Sequence, residues 1–403
     1  MINSVRVEKM QELTTRLRMF ISLSLLTIIL FGCVETDVPD EPVPKVQTSN
    51  TSTKVALLIP LGSEEQGIDQ LAMNLEKSAQ LALTRIESSS LELTTYDTQG
   101  TPEGAFQAAS RAIGDGNSVI LGPLFSDSTR AIAPLVNISG VPVLSFSNDA
   151  MVAGGNIFIL GQSFEDSANR MVQYVSSQGK VSGIIVSSDS RSDSRGMDAL
   201  MEATTKAGFD IVQTIGYELS QPGSLNAVEQ IVLAVEAFEP EVIFLTGNTA
   251  GAVTLIAELL NDRNIPEDII LVGIERWDIP EVALSVKGLQ GSIFPIPDPN
   301  QSTIFSNNFQ YEYEETPHPL AGLPYDGIIA IDELMTENRS GVISRSSILN
   351  GGEFFGSNGP FKFNRNGITE RSLAIAKIEN QRATIIDKAP RSLIIPQLES
   401  LEN

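Results

Sequence analysis

The sequence predicts an α/β protein with two parallel central sheets. Short apolar runs alternate with amphipathic stretches from residue 55 to residue 273. Strands that alternate with helices form βαβ units, in which the strands run parallel. A chain of 403 residues can bury two such sheets in separate domains. The predicted strands are 55–60, 91–97, 118–122, 141–146, 156–160, 182–188, 210–217, 241–247 and 269–273.

The N-terminal segment differs from this pattern. Arg16 and Arg18 precede an apolar run that ends at Gly32 and Cys33, and this run is too short to span a bilayer. We therefore expect residues 1–32 to be a signal peptide. The sequence LFGC before and at Cys33 resembles the bacterial lipobox, which implies lipidation of this single cysteine; a transmembrane anchor or a chance cysteine is the alternative.

Residues 33–53 are predicted to be a lipidated cysteine followed by a disordered tether, because they contain several prolines and acids and few apolar side chains. The lipobox resemblance also implies an outer-membrane rather than an inner-membrane location in the periplasm, since Val34 follows the cysteine where Asp would mark inner-membrane retention. Membrane contact is expected through the lipid anchor alone. The net charge of −23 argues against nucleic acid as a partner.

Two predicted helices offer checks on the pattern. Thr101 before Pro102 has the form of an N-cap followed by proline at the first helical position. The stretch after the fifth strand places apolar residues on one helical face: Phe164, Ala168, Met171, Val172 and Val175.

Polar side chains follow two successive strands, where ligands bind in open parallel sheets. They are Ser126, Asp127 and Ser128 after the third strand, and Ser147 and Asn148 after the fourth. Such groups can hold a carboxylate, although Ser and Asp also serve as ordinary helix caps. Other strand ends add Ser63, Asn248 and the group Glu275, Arg276 and Trp277, of which Trp277 could stack on a ligand or pack elsewhere.

Catalytic alternatives have little support in the sequence. The single histidine, His318, lies between two prolines with no acid placed to orient it. Neither a P-loop nor a GxSxG motif occurs. We therefore predict that the protein is not an enzyme and has no cofactor and no metal site.

After residue 273 the pattern changes, and the late segment GPFKFNRNGITERSLAIAKI predicts an antiparallel β element with its turn at 364–367. The chain from Lys54 to about Asp387 resembles type I periplasmic-binding proteins of the leucine-binding kind. The motifs that carry the resemblance include KVALLIPLG, VILGPLFSDSTRAIAPL, GVPVLSFSND and LPYDGIIA. TQGTPEGA, ERWDIP and the late segment make it most similar to the lipoproteins called penicillin-binding protein activators.

The resemblance implies two Rossmann-like lobes joined by three hinge crossings, near 160–164, 290–296 and 350–360. The expected divisions are lobe 1 at 54–162 plus 294–352, lobe 2 at 163–293 plus 353–388, and a C-terminal tail at 389–403.

The resemblance also implies that 126–128 and 147–148 hold a ligand carboxylate. Two positions depart from the family pattern: Arg195 stands where a cleft tyrosine is usual, and no acid occurs around 248–250 to hold an ammonium group. An unpaired buried ammonium is costly, so the expected ligand is a small polar or anionic molecule other than a free amino acid.

Two functions follow from the resemblance. The first is an envelope regulator that binds and activates a peptidoglycan synthase, as a penicillin-binding protein activator does. The alternative is the substrate-binding component of an ABC transporter for amino-acid-like solutes, with a permease as partner.

Overall fold

The computed structural model describes residues 52–86, 91–263, 265–337 and 342–394. The described residues belong to one compact unit. The predicted signal peptide, Cys33 and nearly all of the tether lie outside the described residues. In the described ranges no helix combines the length and the apolar character needed to cross a bilayer.

Lobe 1 is built on a five-stranded sheet in which every pair of neighbours is parallel, in the order β2-β1-β3-β4-β5. Its strands are β1 (Thr53–Ile59), β2 (Leu91–Asp97), β3 (Val119–Leu121), β4 (Val143–Ser145) and β5 (Ile157–Ile159). The helices that follow the strands are α1 (Ile68–Leu83), α2 (Pro102–Gly114) and α3 (Ser126–Ser139). Apolar clusters cover both faces of the sheet, as a buried parallel sheet requires.

Lobe 2 is built on a seven-stranded sheet in the order β15-β14-β10-β9-β8-β6-β7. Its strands are β6 (Ser182–Ser188), β7 (Asp210–Tyr217), β8 (Val242–Leu245), β9 (Ile270–Gly273), β10 (Ile293–Pro297), β14 (Leu373–Glu379) and β15 (Arg382–Asp387). The helices of this lobe are α4 (Phe164–Ser177), α5 (Arg191–Ala207), α6 (Gln221–Phe238) and α7 (Val253–Asp262). The first five strands are parallel, and β14 and β15 add an antiparallel edge.

The predicted α/β class with two parallel sheets is thereby confirmed, and β1 to β9 correspond to the nine predicted strands. Both helix checks also hold. The Thr101 hydroxyl accepts a hydrogen bond from the Gly104 backbone N–H at 3.0 Å, and the apolar face that begins at Phe164 is buried.

The remaining elements pack on lobe 1. They are α8 (Pro299–Tyr313), α9 (Gly322–Glu337), α10 (Arg345–Asn350) and a small antiparallel sheet of β11 (Phe354–Gly356), β12 (Gly359–Phe363) and β13 (Thr369–Arg371). Phe354, Phe361 and Phe363 join the lobe 1 core. The predicted turn at 364–367 connects β12 to β13, with Gly367 at a positive φ of 86°.

The chain passes between the lobes at 160–163, at Asp298 and at Ser372. The second and third passages come later than the sequence suggested. β10 stays in the lobe 2 sheet as far as Pro297, and residues 354–371 pair within the small sheet beside lobe 1. The predicted residue ranges of the two lobes therefore stay a prediction, and the observed passages move two of their boundaries.

The segment after β15 returns to lobe 1. Ser372 donates a hydrogen bond to the Pro390 carbonyl at 2.5 Å, and Lys362 Nζ donates to the Leu393 carbonyl at 3.3 Å. The Ser392 hydroxyl donates to Glu353 Oε2 at 2.9 Å. The described part of the predicted tail is therefore a fourth connection across the hinge.

Candidate functional site

Three adjacent cavities lie at the carboxyl ends of the parallel strands of both lobes. We call them the serine cavity, of about 420 Å³, the arginine cavity, of about 170 Å³, and the hinge cavity, of about 810 Å³. Asn148 lines all three, Ser126 lines the first two, and Phe164 lines the last two. The three cavities are therefore neighbours that share lining residues, and we refer to them together as the cleft.

The serine cavity contains the predicted carboxylate-binding groups of lobe 1. Ser126, Asp127 and Ser128 are the first residues of α3, whose N-cap, Phe125, makes no side-chain cap hydrogen bond. The first N–H groups of a helix have no acceptor within the helix, and the helix dipole favours an anion there. Ser147, after β4, lines the same cavity.

Ser128 has an unpaired hydroxyl beside this cavity. The residue is 1% exposed, and its hydroxyl oxygen is buried without a hydrogen-bond partner. Buried hydroxyls are normally hydrogen-bonded, because leaving one unpaired costs about 1–3 kcal/mol. A ligand oxygen in the serine cavity would supply the missing partner.

Asp127 is engaged by cations rather than free for a ligand. Arg130 Nη1 lies 2.5 Å from its Oδ1, and Nη1 of Arg191, from lobe 2, lies 3.8 Å from the same oxygen. Asp127 thus connects the two lobes across the cleft.

The other predicted residues have different surroundings. Ser63 does not line the serine cavity, where Glu65 and Gly100 are the neighbouring lining residues. Asn248 lines the hinge cavity and accepts hydrogen bonds from the backbone N–H groups of Ala250 and Gly251, both at 3.1 Å. Arg195 lines the arginine cavity.

Trp277 is placed away from the cleft. The residue is 0% exposed, its indole N–H donates to the Gly247 carbonyl at 3.1 Å, and its ring packs on Gly273. A Cβ atom on Gly273 would come within 2.4 Å of the ring, so the ring occupies the space that the glycine leaves. Trp277 therefore belongs to the lobe 2 core and cannot stack on a ligand in this structure.

Glu275 is a cleft residue from the polar group after β9 that was named from the sequence. It follows β9 and lines the hinge cavity from lobe 2. Burial, and secondarily the charge of Asp193, raises the pKa of Glu275 to about 7. From the same polar group, Trp277 was the residue selected for the predicted ligand site.

The hinge cavity has a largely apolar wall. Both lobes contribute side chains to it, among them Leu71, Phe146, Phe164, Ile274 and Leu323. The cleft thus combines the start of α3 with its unpaired Ser128 hydroxyl, a carboxyl group on the opposite lobe and an apolar interior. Among the described residues, no group of three or more His, Cys, Asp or Glu side chains is arranged to hold a metal ion.

Comparisons with known proteins agree with this architecture. The sequence profile of a family described as periplasmic binding protein matches residues 52–383. No curated protein sequence matches the chain.

Several solved structures share the fold. A putative branched-chain amino acid ABC transporter protein from Rhodospirillum rubrum has a TM-score of 0.71 at 14% identity, over 83% of this chain and 100% of that one. An ABC transporter substrate-binding protein from Desulfitobacterium hafniense, in complex with Leu, has a TM-score of 0.62 at 19% identity, over 83% of this chain and 100% of that one. A leucine binding protein from Thermotoga maritima has a TM-score of 0.59 at 16% identity, over 83% of this chain and 97% of that one.

Proposed function

Because the chain belongs to the periplasmic binding protein family, we propose that it captures an α-amino acid between its lobes and delivers it to an ABC importer. The observation that carries this proposal is the unpaired, buried hydroxyl of Ser128 at the start of α3. The likeness to two ABC transporter proteins and a leucine binding protein supports the transport alternative over a peptidoglycan synthase activator.

The serine cavity suits the carboxylate of such a ligand. Its oxygens would accept hydrogen bonds from the Ser128 hydroxyl and from the N–H groups at the start of α3. Charge-assisted hydrogen bonds of this kind contribute about 1.5–3 kcal/mol each. A carboxylate is therefore bound without a cation from the protein.

Glu275 suits the ammonium group. No acid occurs at 248–250, but Glu275 lines the cleft from the end of β9. An ionised carboxylate beside an ammonium ion removes the cost of burying that ion unpaired. The position of Glu275 therefore supports a free amino acid as the ligand.

The hinge cavity suits an aliphatic part of the ligand. Its apolar wall, with Phe146 and Ile274 among the buried residues, gains from contact with methylene groups rather than water. These features together favour an amino acid with a side chain of several carbons.

Replacing Ser128 by alanine is expected to weaken amino-acid binding roughly 10- to 100-fold, since one charge-assisted hydrogen bond is lost. Isothermal titration calorimetry with leucine and other amino acids measures this loss. The free energy of unfolding should not fall and should rise by up to about 1–3 kcal/mol, because the change removes a buried hydroxyl that has no partner in the unliganded protein. Ser139→Ala, at the other end of α3, is the matched control. If Ser128→Ala and the unaltered protein bind amino acids with equal affinity, the proposed carboxylate site at Ser128 is wrong.

The partner is tested by affinity purification from detergent-solubilised envelopes. We expect an ABC permease to co-purify with the full chain. Enrichment of a peptidoglycan synthase instead would restore the activator role that the sequence motifs favoured.

Lipidation at Cys33 and an outer-membrane location remain proposals, and mass spectrometry of the purified protein tests the first of them.

A further inference from the structure

Arg195 is an unpaired cation in the cleft. It lies on α5, lines the arginine cavity and makes no hydrogen bond or ion pair with any described residue. A partly buried guanidinium group without a counter-charge is unfavourable. The other arginines around the cleft each have an acidic partner: Arg130 with Asp127 and Asp149, Arg191 with Asp127, Arg276 with Asp278, and Arg371 with Asp326.

Glu165 is an unpaired acid in the same cavity. It lies in the first turn of α4, and its Oε2 atom is buried without a hydrogen-bond partner. A ligand group with a negative charge alone would meet repulsion from this carboxylate, and a group with a positive charge alone would meet repulsion from Arg195. The charges of the cavity therefore disfavour a simple ion.

The remaining charges around the arginine cavity cancel. Asp149 is contacted by Arg130 at 3.5 Å, and Asp127 lies between Arg130 and Arg191. One cation, Arg195, and one anion, Glu165, are left over. A group with both charges, such as the ammonium and carboxylate of an α-amino acid, would satisfy each of them.

The arginine cavity is joined to the proposed first binding site. Ser126 and Asn148 line both the arginine and the serine cavities, and Phe164 lines both the arginine and the hinge cavities. The arginine and serine cavities are therefore adjacent, and a ligand that occupied both would run past Ser126 and Asn148.

We infer that Arg195 and Glu165 form a second zwitterion-binding subsite, and that the ligand class is the diamino dicarboxylic acids, which carry an α-amino-acid head at each end. This inference rests on the proposed function. The first head would bind at Ser128 and Glu275, and the second at Arg195 and Glu165.

Calorimetric titration of the full chain with L-leucine, L-glutamate and meso-2,6-diaminopimelate tests the inference. We expect diaminopimelate to bind at least about tenfold more tightly than leucine, because two charged contacts are added. Arg195→Ala and Glu165→Gln should each weaken diaminopimelate binding by about tenfold or more and leave leucine binding within about twofold. Both variants should fold, since neither side chain forms a bond in the unliganded protein that the change would break.

Lys206→Ala and Glu202→Gln, an exposed ion pair near the end of α5, are the matched charge controls. Leucine binding as tight as diaminopimelate, or equal losses for all ligands in the two variants, would overturn the subsite. Tighter binding of glutamate, improved by Glu165→Gln, would also overturn it, since Arg195 would then take a lone anion. Failure of all three ligands to bind would instead contradict the proposed function itself.

Discussion

Replacing Arg371 by methionine is expected to lower the free energy of unfolding by about 3–5 kcal/mol, because a buried carboxylate loses its counter-ion. The Arg371 and Asp326 side chains are 5% and 0% exposed, and Arg371 Nη1 lies 2.7 Å from Asp326 Oδ2. Arg371 Nε and Nη2 also donate to the Leu160 carbonyl at 3.1 and 2.7 Å. Urea unfolding followed by circular dichroism measures the change.

The matched control for this change is Arg263→Met. Arg263 pairs with Glu229 on the surface of lobe 2, where both side chains are exposed, so the loss should stay below about 1 kcal/mol. Asp326→Asn in the Arg371→Met background should recover part of the stability, because the unpaired charge is removed and Ser357 can still donate to residue 326. A loss for Arg371→Met no larger than that for Arg263→Met would show that the pair does not stabilise the hinge.

The consequence of this pair for the cleft comes from its position. Leu160 lies in the first passage between the lobes, and Arg371 immediately precedes the third passage at Ser372. Arg371 also lies over the Phe361 ring at 4.8 Å. Two of the hinge passages are therefore tied to each other and to α9 of lobe 1.

Replacing Glu275 by glutamine is expected to weaken amino-acid binding by about 100-fold or more, because the ligand ammonium would be buried without a counter-charge. Calorimetry at pH 8 measures this change. Glu267→Gln, which removes an exposed charge from the same lobe, is the matched control and should not alter the affinity. Unchanged affinity in Glu275→Gln would place the ammonium group elsewhere.

The same residue predicts how affinity depends on pH. The unliganded pKa of Glu275 is raised to about 7, mainly by burial and then by Asp193, whereas an ammonium ligand requires the ionised form. Affinity should therefore be constant from about pH 7 up to the pH at which the ligand ammonium itself loses its proton, and fall by up to about tenfold per pH unit below pH 7. Glu275→Gln should lose this dependence.

Stability without ligand should change in the opposite sense. The folded protein holds a proton on Glu275 over a range in which the unfolded chain, with a pKa near 4.5, has released it. The contribution of Glu275 to the free energy of unfolding therefore falls as pH rises from about 4.5 to about 7 and then levels off, and it is measured as the difference between the unaltered protein and Glu275→Gln in urea unfolding at each pH.

The parts of the fold that the sequence predicted are those set by local periodicity. Alternating strands and helices placed Ser126, Ser128 and Ser147 at strand ends, and strand ends of a parallel sheet meet at one edge. The resemblance to the leucine-binding kind then supplied the second lobe and the hinge. The structure brings these serines to the cavity that they were expected to line.

The parts that were missed depend on side-chain direction in irregular segments. Glu275 and Trp277 lie two residues apart after β9, and no periodicity states which one faces the cleft. The passages at Asp298 and Ser372 were placed too early because strand pairing between distant segments sets them. Glu165 was not considered because acids in the first turn of a helix are ordinary, and its missing partner is visible in three dimensions alone.

The buried position of Trp277 gives the protein a built-in optical probe. The sequence contains one tryptophan, so long-wavelength ultraviolet excitation yields emission from this indole alone. Its ring packs in the lobe 2 core, two residues from Glu275, with its N–H bound to the Gly247 carbonyl. Fluorescence during unfolding therefore follows lobe 2 by itself, whereas circular dichroism averages both lobes. If the unfolding midpoints from fluorescence and from circular dichroism differ, the two lobes unfold separately, and no added label is needed to see it.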